Sequence, residues 1–207
     1  IVKGGSLGCS VSTAGDINGD NIADLVLGAP RLAKSSGVAA VYVVFGSREG
    51  FFSPFKLDSL NGSNGFMIPD IASSYLGYSV STAGDINGDN IADLVLGAPY
   101  GNAFNGTAYV IFGSCKRFDS PFSLANLNGN NGFIVSGVGT RDLGFSVSTA
   151  GDINGDNITD LVLGAPETNA LNGTAYVIFG QRTIRFMGSP FIQHSSIAMT
   201  DFLSGGL

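Results

Sequence analysis

Residues 10–30 read SVSTAGDINGDNIADLVLGAP, residues 79–99 repeat that string unchanged, and residues 146–166 repeat it with one change, Thr159 where the other copies have Ala23 and Ala92. Three further blocks follow in the same order. An aromatic-aliphatic run ends in Phe-Gly (Val41 to Gly46, Tyr109 to Gly113, Tyr176 to Gly180), and Ser-Pro-Phe begins at Ser53, Ser120 and Ser189. LNGSNGF or LNGNNGF ends at Phe66 and Phe133, and the third copy carries IAMTDF there, ending at Phe202. The 207 residues are therefore read as three repeat units, 1–69, 70–136 and 137–207, with the last one atypical as terminal repeats tend to be.

Each unit offers four short segments of strand character bounded by Gly, Asn, Asp and Pro. In the second unit they are Gly77 to Gly84, Asp93 to Ala98, Gly106 to Phe112 and Gly132 to Val135. The first alternates small polar and apolar residues. DLVLGA is continuously apolar until Pro99, and TAYVIF is β-branched and aromatic, so both read as strands buried on two faces. Four antiparallel strands per unit, stacked face to face, make propeller blades; a solenoid of strands in other registers is the alternative.

Composition agrees with a turn-rich β protein. Charged residues are 13% of the chain, Gly is 31 of 207 and Trp is absent, which disfavours helical bundles, while 44% apolar content disfavours disorder. No apolar run approaches the roughly 18 residues of a membrane span. The formal charge of −6 and the lack of any basic run make nucleic acid a poor partner. Nine of the sixteen acids sit in three equivalent clusters, and three divalent cations would cancel the net charge. The chain opens at Ile1 with neither a basic n-region nor an apolar h-region, so it reads as a processed mature form or a segment of something longer.

The clusters have the form Asp-x-Asn-x-Asp-x-Ile-x-Asp. Side-chain oxygens at positions 1, 3, 5 and 9 and the carbonyl at position 7 give Asp16, Asn18, Asp20, Ile22 and Asp24; Asp85, Asn87, Asp89, Ile91 and Asp93; and Asp152, Asn154, Asp156, Ile158 and Asp160. Position 12, an acid in an EF-hand, is here a leucine inside the next strand, so the loop is no EF-hand. All donors are hard oxygen, with no Cys or His near in sequence, which favours Ca2+ over zinc or copper at three sites. A plain Asp-Asn-Gly turn would leave three carboxylates repelling one another by roughly 1 to 4 kcal/mol per pair at ~4 Å. No general base, His or nucleophile accompanies a loop, so the ion reads as structural and the chain as no enzyme.

Phe-Gly, Asp-Ile-Asn-Gly-Asp and Gly-Ala-Pro (28–30, 97–99, 164–166) in this order resemble FG-GAP repeats, which build the β-propeller head of integrin α subunits and recur in bacterial and protist surface proteins. The resemblance covers essentially the whole chain. It implies an all-β fold of four-stranded antiparallel FG-GAP blades, with a calcium loop between the first and second strands of each. Three blades are too few to close a ring, since propellers use roughly 4 to 8, so an incomplete ring or part of a larger assembly is expected.

The resemblance also implies an extracellular or cell-surface recognition or adhesion module. A protein or carbohydrate ligand would bind on the face opposite the calcium loops, through Arg31 to Gly37, Tyr100 to Asn105 and Glu167 to Asn172, with Ile71 to Leu76 and Val138 to Leu143. These are the stretches where the copies differ most, as expected of recognition loops on a constant frame. The rival from another class is a structural subunit of an extracellular polymer, self-associating head to tail through blade faces.

Weaker signals are read as structure. Gly4-Gly5-Ser6-Leu7-Gly8 fits G-x-S-x-G but lacks the strand and helix a nucleophile elbow needs, and His194, the sole histidine, reads as a surface residue. Cys9 stands where the other units have Tyr78 and Phe145 and reads as a small buried residue; a bridge to Cys115 is disfavoured by repeat register. Sequons occur at Asn61, Asn105, Asn157 and Asn172. Asn157 lies within an acidic loop, and the other three are Asn-Gly turns that would be glycosylated in a eukaryotic secretory setting.

Overall fold

The computed structural model describes residues 6–30, 39–71, 74–137, 141–167 and 173–182. Strands β1 (Ser10–Gly15), β2 (Asp24–Ala29), β3 (Ala40–Val44) and β4 (Gly65–Pro69) form one antiparallel sheet in chain order. The second sheet repeats it with β5 (Ser79–Gly84), β6 (Asp93–Ala98), β7 (Thr107–Ile111) and β8 (Gly132–Ser136). The third has β9 (Ser146–Gly151), β10 (Asp160–Ala165) and β11 (Thr174–Ile178); the IAMTDF block that ends at Phe202, where a fourth strand would follow, lies outside the described residues, as does His194. The sheets do not close on themselves, matching three blades of an incomplete propeller.

Strand ends follow the sequence punctuation. Pro30, Pro99 and Pro166 follow the second strands directly and lack the N–H that would extend the ladder. β6 and β7 are buried along their whole length, as their unbroken apolar runs require, while β1 alternates as its small polar residues require. Each first strand carries one irregularity at the same place. Thr13 pairs with Leu25 and Gly15 with Asp24, which leaves Ala14 as the extra residue of a bulge; Ala83 and Ala150 sit in equivalent shifts.

The core lies between sheets rather than within one. β1 packs beside β5 and β5 beside β9. One apolar cluster joins Ile17, Val26 and Phe66 of the first blade to Leu94, Leu96 and Ile111 of the second, and another joins Ile86, Val95 and Val110 of the second to Leu161 and Leu163 of the third. The glycine of each Gly-Ala-Pro permits this approach. A methyl group on Gly28 would lie 2.1 Å from the carbonyl oxygen of Gly77, and one on Gly97 would lie 2.0 Å from that of Gly144.

The segment after β7 crosses back onto the first blade. Phe118 stacks on Phe66 with ring centroids 4.5 Å apart, and Phe122 lies 5.7 Å from the same ring. Ser120 Oγ donates to the Leu60 carbonyl (3.1 Å), and the Phe122 N–H donates to that of Met67 (2.7 Å). The equivalent segment of the first blade keeps Phe51, Ser53, Pro54 and Phe55, but Phe51 and Phe55 meet edge to face at 5.5 Å and remain exposed, as does Phe52, which stands where the second blade has Asp119.

Cys9 and Cys115 are both free and exposed, which corrects the reading of Cys9 as buried. The slot itself is a surface one, since Tyr78 is half-buried and Phe145 exposed, and a short side chain there has nothing to sink beneath.

Candidate metal centre

Each acidic loop joins the first and second strands of a blade and is held by its own backbone. In the first, Asp16 Oδ1 accepts from the Asp20 N–H (2.9 Å) and Oδ2 from that of Asn21 (2.7 Å). Asn18 Oδ1 accepts from the Asp20 N–H (2.9 Å), Asp20 Oδ1 from the Ile22 N–H (2.8 Å) and Asp20 Oδ2 from Asn18 Nδ2 (3.1 Å). Asn21 takes the left-handed conformation expected at position 6 (φ 65°), as do Asn90 and Asn157. The second loop repeats the pattern through Asp85, Asn87 and Asp89, and the third through Asp152, Asn154 and Asp156.

Position 9 behaves differently. Asp24, Asp93 and Asp160 are fully buried, each with both carboxylate oxygens engaged. Asp93 Oδ2 accepts from the Ile86 N–H (2.9 Å) and Oδ1 from the Gly113 N–H (2.8 Å), so one side chain ties the loop to the end of the third strand. Asp24 ties Ile17 to Gly46 and Asp160 ties Ile153 to Gly180 in the same way. The glycine of each Phe-Gly thus supplies a main-chain donor to the acidic loop, a partnership that sequence reading missed although the recurrence of Phe-Gly signalled it. Gly113 also has no room for a side chain, since a methyl group there would sit 2.3 Å from the Ala92 carbonyl oxygen.

Burial pushes the Asp93 carboxyl up to about 8, against the pull of the N–H groups of Gly113 and Ile86 and with the push of Asp89 and Asp85. Asp24 rises to about 6 for the same reasons, burial first. The smaller effect fits its place on a blade with one open side. Asp152, in the exposed third loop, is instead held below the usual carboxylate range by the Asn157 N–H and its neighbours. The one salt bridge among the described residues, Arg141 to Glu167 at 3.6 Å, lies elsewhere on the surface. Among the described residues the buried carboxylates form no salt bridge, and main-chain N–H groups are the hydrogen-bond donors they meet.

The donor set suits a hard cation. Each side-chain oxygen of Asp16, Asn18 and Asp20 that faces the loop accepts one hydrogen bond and keeps a lone pair. Among the described residues no three Asp, Glu, His or Cys side chains converge as a metal-binding group. Cys115 Sγ packs against Gly19 of the first loop, a proximity that its sequence position does not betray.

A pH dependence follows for the cation-free protein. The folded state holds the Asp93 proton more tightly than the unfolded chain does, so protonation stabilises the fold. That contribution is complete below about pH 4 and lost as the pH rises through about 8; for Asp24 it is lost through about 6. In chelator, the calorimetric Tm should fall between pH 5 and pH 8.5. A Tm that climbs over this range would mean that the fold favours the ionised carboxylates over the protonated ones, against the direction that burial imposes.

The opposite end of the blades gathers the varied loops. β6 runs from Asp93 to Ala98, so its two ends lie roughly 17 Å apart. At the far end, the Tyr100 N–H donates to the Ser74 carbonyl (3.3 Å), Asn102 Nδ2 to that of Gly137 (2.9 Å) and the Leu143 N–H to that of Asn105 (3.2 Å). Rings of Tyr75 and Tyr100 meet at 4.7 Å, Tyr100 and Phe104 at 6.1 Å, and Tyr78 and Phe145 at 4.9 Å. Tyr78 and Phe145 join this patch although the sequence did not assign them to it. Of the other partner-loop stretches, Arg31 to Gly37 lies outside the described residues, and Glu167 to Asn172, Ile71 to Leu76 and Val138 to Leu143 lie partly outside. Asn61 is exposed and Asn105 half-buried; Asn172 is outside the described residues. No helix among the described residues is long and apolar enough to cross a membrane.

The family described as FG-GAP repeat matches residues 10–44, 76–111 and 143–178. Integrin alpha-4 of Xenopus laevis is 30% identical over 162 residues, covering 78% of this chain and 14% of that protein. Integrin alpha-V of Gallus gallus is 30% identical over 183 residues, covering 86% and 16% respectively. Phosphatidylinositol-glycan-specific phospholipase D of Bos taurus is 31% identical over 161 residues, covering 74% and 18%. The chain thus spans less than a fifth of the length of each of these relatives.

Proposed function

This chain belongs to the FG-GAP repeat family, and from that premise we propose that it is a calcium-stabilised, non-enzymatic recognition or adhesion module of the extracellular space or cell surface. The observation that supports the cation reading is the fully buried carboxylate at the ninth position of all three loops, which accepts two main-chain N–H bonds and forms no salt bridge among the described residues. In each loop the acids at positions 1, 5 and 9, the Asn at position 3 and the carbonyl of Ile22, Ile91 or Ile158 would hold the ion. Bound there, calcium supplies the positive charge that offsets the clustered carboxylates. The loops' own N–H bonds pre-arrange the oxygens, so little ordering is left for binding to impose. Reading the chain as units 1–69, 70–136 and 137–207, each with one loop, gives three sites.

The ligand would meet the opposite face, where the Tyr75, Tyr100 and Phe104 rings stand beside hydrogen-bonded loops. A partly exposed aromatic patch of this kind suits an extended protein segment or a sugar ring. Glycans on Asn61, Asn105 or Asn172 belong to the same extracellular reading. One relative is named as a phospholipase, but the likeness covers only 18% of it.

Calorimetric titration of the chelator-treated chain should show three calcium ions bound in the ~10⁻⁴ to 10⁻³ M range typical of extracellular modules. Saturation should raise the Tm, and chelator should reverse the rise. No heat and no change in Tm at ten-millimolar calcium would overturn the reading.

A further inference from the structure

Nine Asn-Gly pairs punctuate the chain, and both residues of eight of them are described. A glycine after asparagine leaves the main-chain nitrogen sterically open to the side-chain amide, because no Cβ stands in the way. Whether the two groups can react then depends on where the amide is held and on what the glycine N–H is doing. Asn64 Oδ1 accepts from the Asn61 N–H (3.0 Å) and its Nδ2 donates to the Ser59 carbonyl (3.2 Å). Asn131 repeats this with Asn128 (3.0 Å) and Asn126 (3.1 Å). Both amides are thus held back by residues that precede them.

Five other asparagines curl forward. Oδ1 of Asn18, Asn87, Asn154 and Asn61 accepts from the N–H two residues on, that of Asp20, Asp89, Asp156 and Ser63, at 2.9 Å in each case, and Asn128 does so from Asn130 at 3.0 Å. The ring that such a bond closes contains both the side-chain Cγ and the glycine nitrogen, and the N–H draws electron density from the carbonyl, which makes Cγ more electrophilic. The glycine N–H groups differ. Gly62 donates to the Gly65 carbonyl (2.8 Å), Gly129 to that of Gly132 (2.8 Å) and Gly155 to Asp152 Oδ1 (2.7 Å). Gly106, after Asn105, donates to the Gly101 carbonyl (3.0 Å). The N–H groups of Gly19 and Gly88 donate to no described residue. Of their two partners, Asn87 is 5% exposed, whereas Asn18 is half-buried and within reach of water.

We propose that Asn18 is a site of self-modification, at which the Gly19 nitrogen attacks the Asn18 side chain and the residue becomes aspartate and isoaspartate. The Gly19 nitrogen forms a bond to Asn18 Cγ, the Cγ–Nδ2 bond breaks, and Nδ2 leaves as ammonia with the proton that the glycine nitrogen gives up. Water then adds to one carbonyl of the five-membered imide, its hydroxyl going to that carbon and its proton to the ring nitrogen. Opening at Cγ gives aspartate, and opening at the main-chain carbonyl gives isoaspartate. Either product places a further carboxylate beside Asp16 and Asp20. Isoaspartate also routes the main chain through Cβ, so the backbone between Asp16 and Asp20 gains an atom and the 2.9 Å bond from the Asp20 N–H to Asp16 Oδ1 loses its register. The first acidic loop therefore carries the means of its own chemical ageing, while the Asn-Gly turns at Asn61 and Asn128 are protected by one hydrogen bond each.

Timed incubation of the folded 207-residue chain in chelator at mildly alkaline pH, followed by peptide mapping with mass spectrometry, tests this. Fragmentation locates the exchange of NH2 for OH and separates isoaspartate from aspartate. Asn18 should convert about ten times faster than Asn61 or Asn128, the rate equivalent of the one hydrogen bond that Gly62 and Gly129 would have to release. The same incubation in urea is the control. There the three sites should converge, because each is then an unrestrained Asn-Gly pair. A folded chain that stays unmodified at Asn18, or that reacts as fast at Asn61 and Asn128, would overturn the proposal. So would a preference for Asn18 that persists undiminished in urea, since its cause would then lie in the neighbouring letters and not in the fold. Chelator is present throughout, so the result stands apart from the cation reading.

Discussion

Gly97→Ala should lower the Tm by roughly 6 to 12 °C, and Gly164→Ala, the same change at the same repeat position, should barely move that of the monomer. The added methyl at Gly97 would lie 2.0 Å from the Gly144 carbonyl oxygen and 2.2 Å from Ser79 Oγ. The serine can rotate, at the loss of its 2.8 Å bond to Gly144, but the carbonyl belongs to the backbone of the next blade and moves only if the blades part. Overpacking of this kind costs about 3 kcal/mol, and in a chain of this size each kcal/mol is roughly 2 to 4 °C. At Gly164 the close neighbour is the Ser146 hydroxyl at 2.3 Å, and the next atom is 3.6 Å away. Calorimetry of the pair under identical conditions decides the matter, since equal shifts would mean that the blades are not packed backbone to backbone.

The second large effect is at Asp93. Asp93→Ala strips the buried N–H groups of Ile86 and Gly113 of their acceptors, at roughly 1 to 3 kcal/mol each, and this loss should persist in chelator because neither bond requires an ion. Asp89→Ala removes an exposed acceptor whose partner, the Ile91 N–H, has water at hand, so its effect should be small in chelator and appear mainly in calcium. Unfolding of both variants with and without calcium separates a residue that holds the loop together from one that serves only the ion. Equal behaviour of the two in chelator would remove Asp93 from the structural role.

Much of this was legible in the sequence, and the reason is repetition. Three copies of Asp-Leu-Val-Leu-Gly-Ala-Pro located the second strands to the residue, because Pro terminates the ladder and the apolar run needs two covered faces. The acidic loops were legible as loops, since Asn at position 6 marks a left-handed turn. What could not be read was which partner each conserved-looking letter serves across space. The glycine of Gly-Ala-Pro looks like a turn residue but has an ordinary negative φ and is small for the sake of a carbonyl 49 residues away from Gly28, or 47 from Gly97. Asp24 looks like one ligand among several, and only its burial separates it from Asp16 and Asp20. Cys9 misled because repeat register carries no information on whether a slot is inside. The aromatic patch was half visible, since Tyr100 lies in a varied loop whereas Tyr78 and Phe145 precede a constant strand.

The stacking of Phe118 and Phe122 on Phe66 has a consequence for the order in which the molecule can be made. The elements that fasten a blade belong to the blade after it: the ring pair, the N–H groups of Ala92 and Ser114, and the seat filled by Ala92. A chain emerging from the ribosome therefore cannot finish its first blade until most of the second has been synthesised, and each blade waits in turn for its successor. Nascent chains should acquire protease resistance one blade behind their length. Clipping from the C-terminal side should loosen the middle blade before the first.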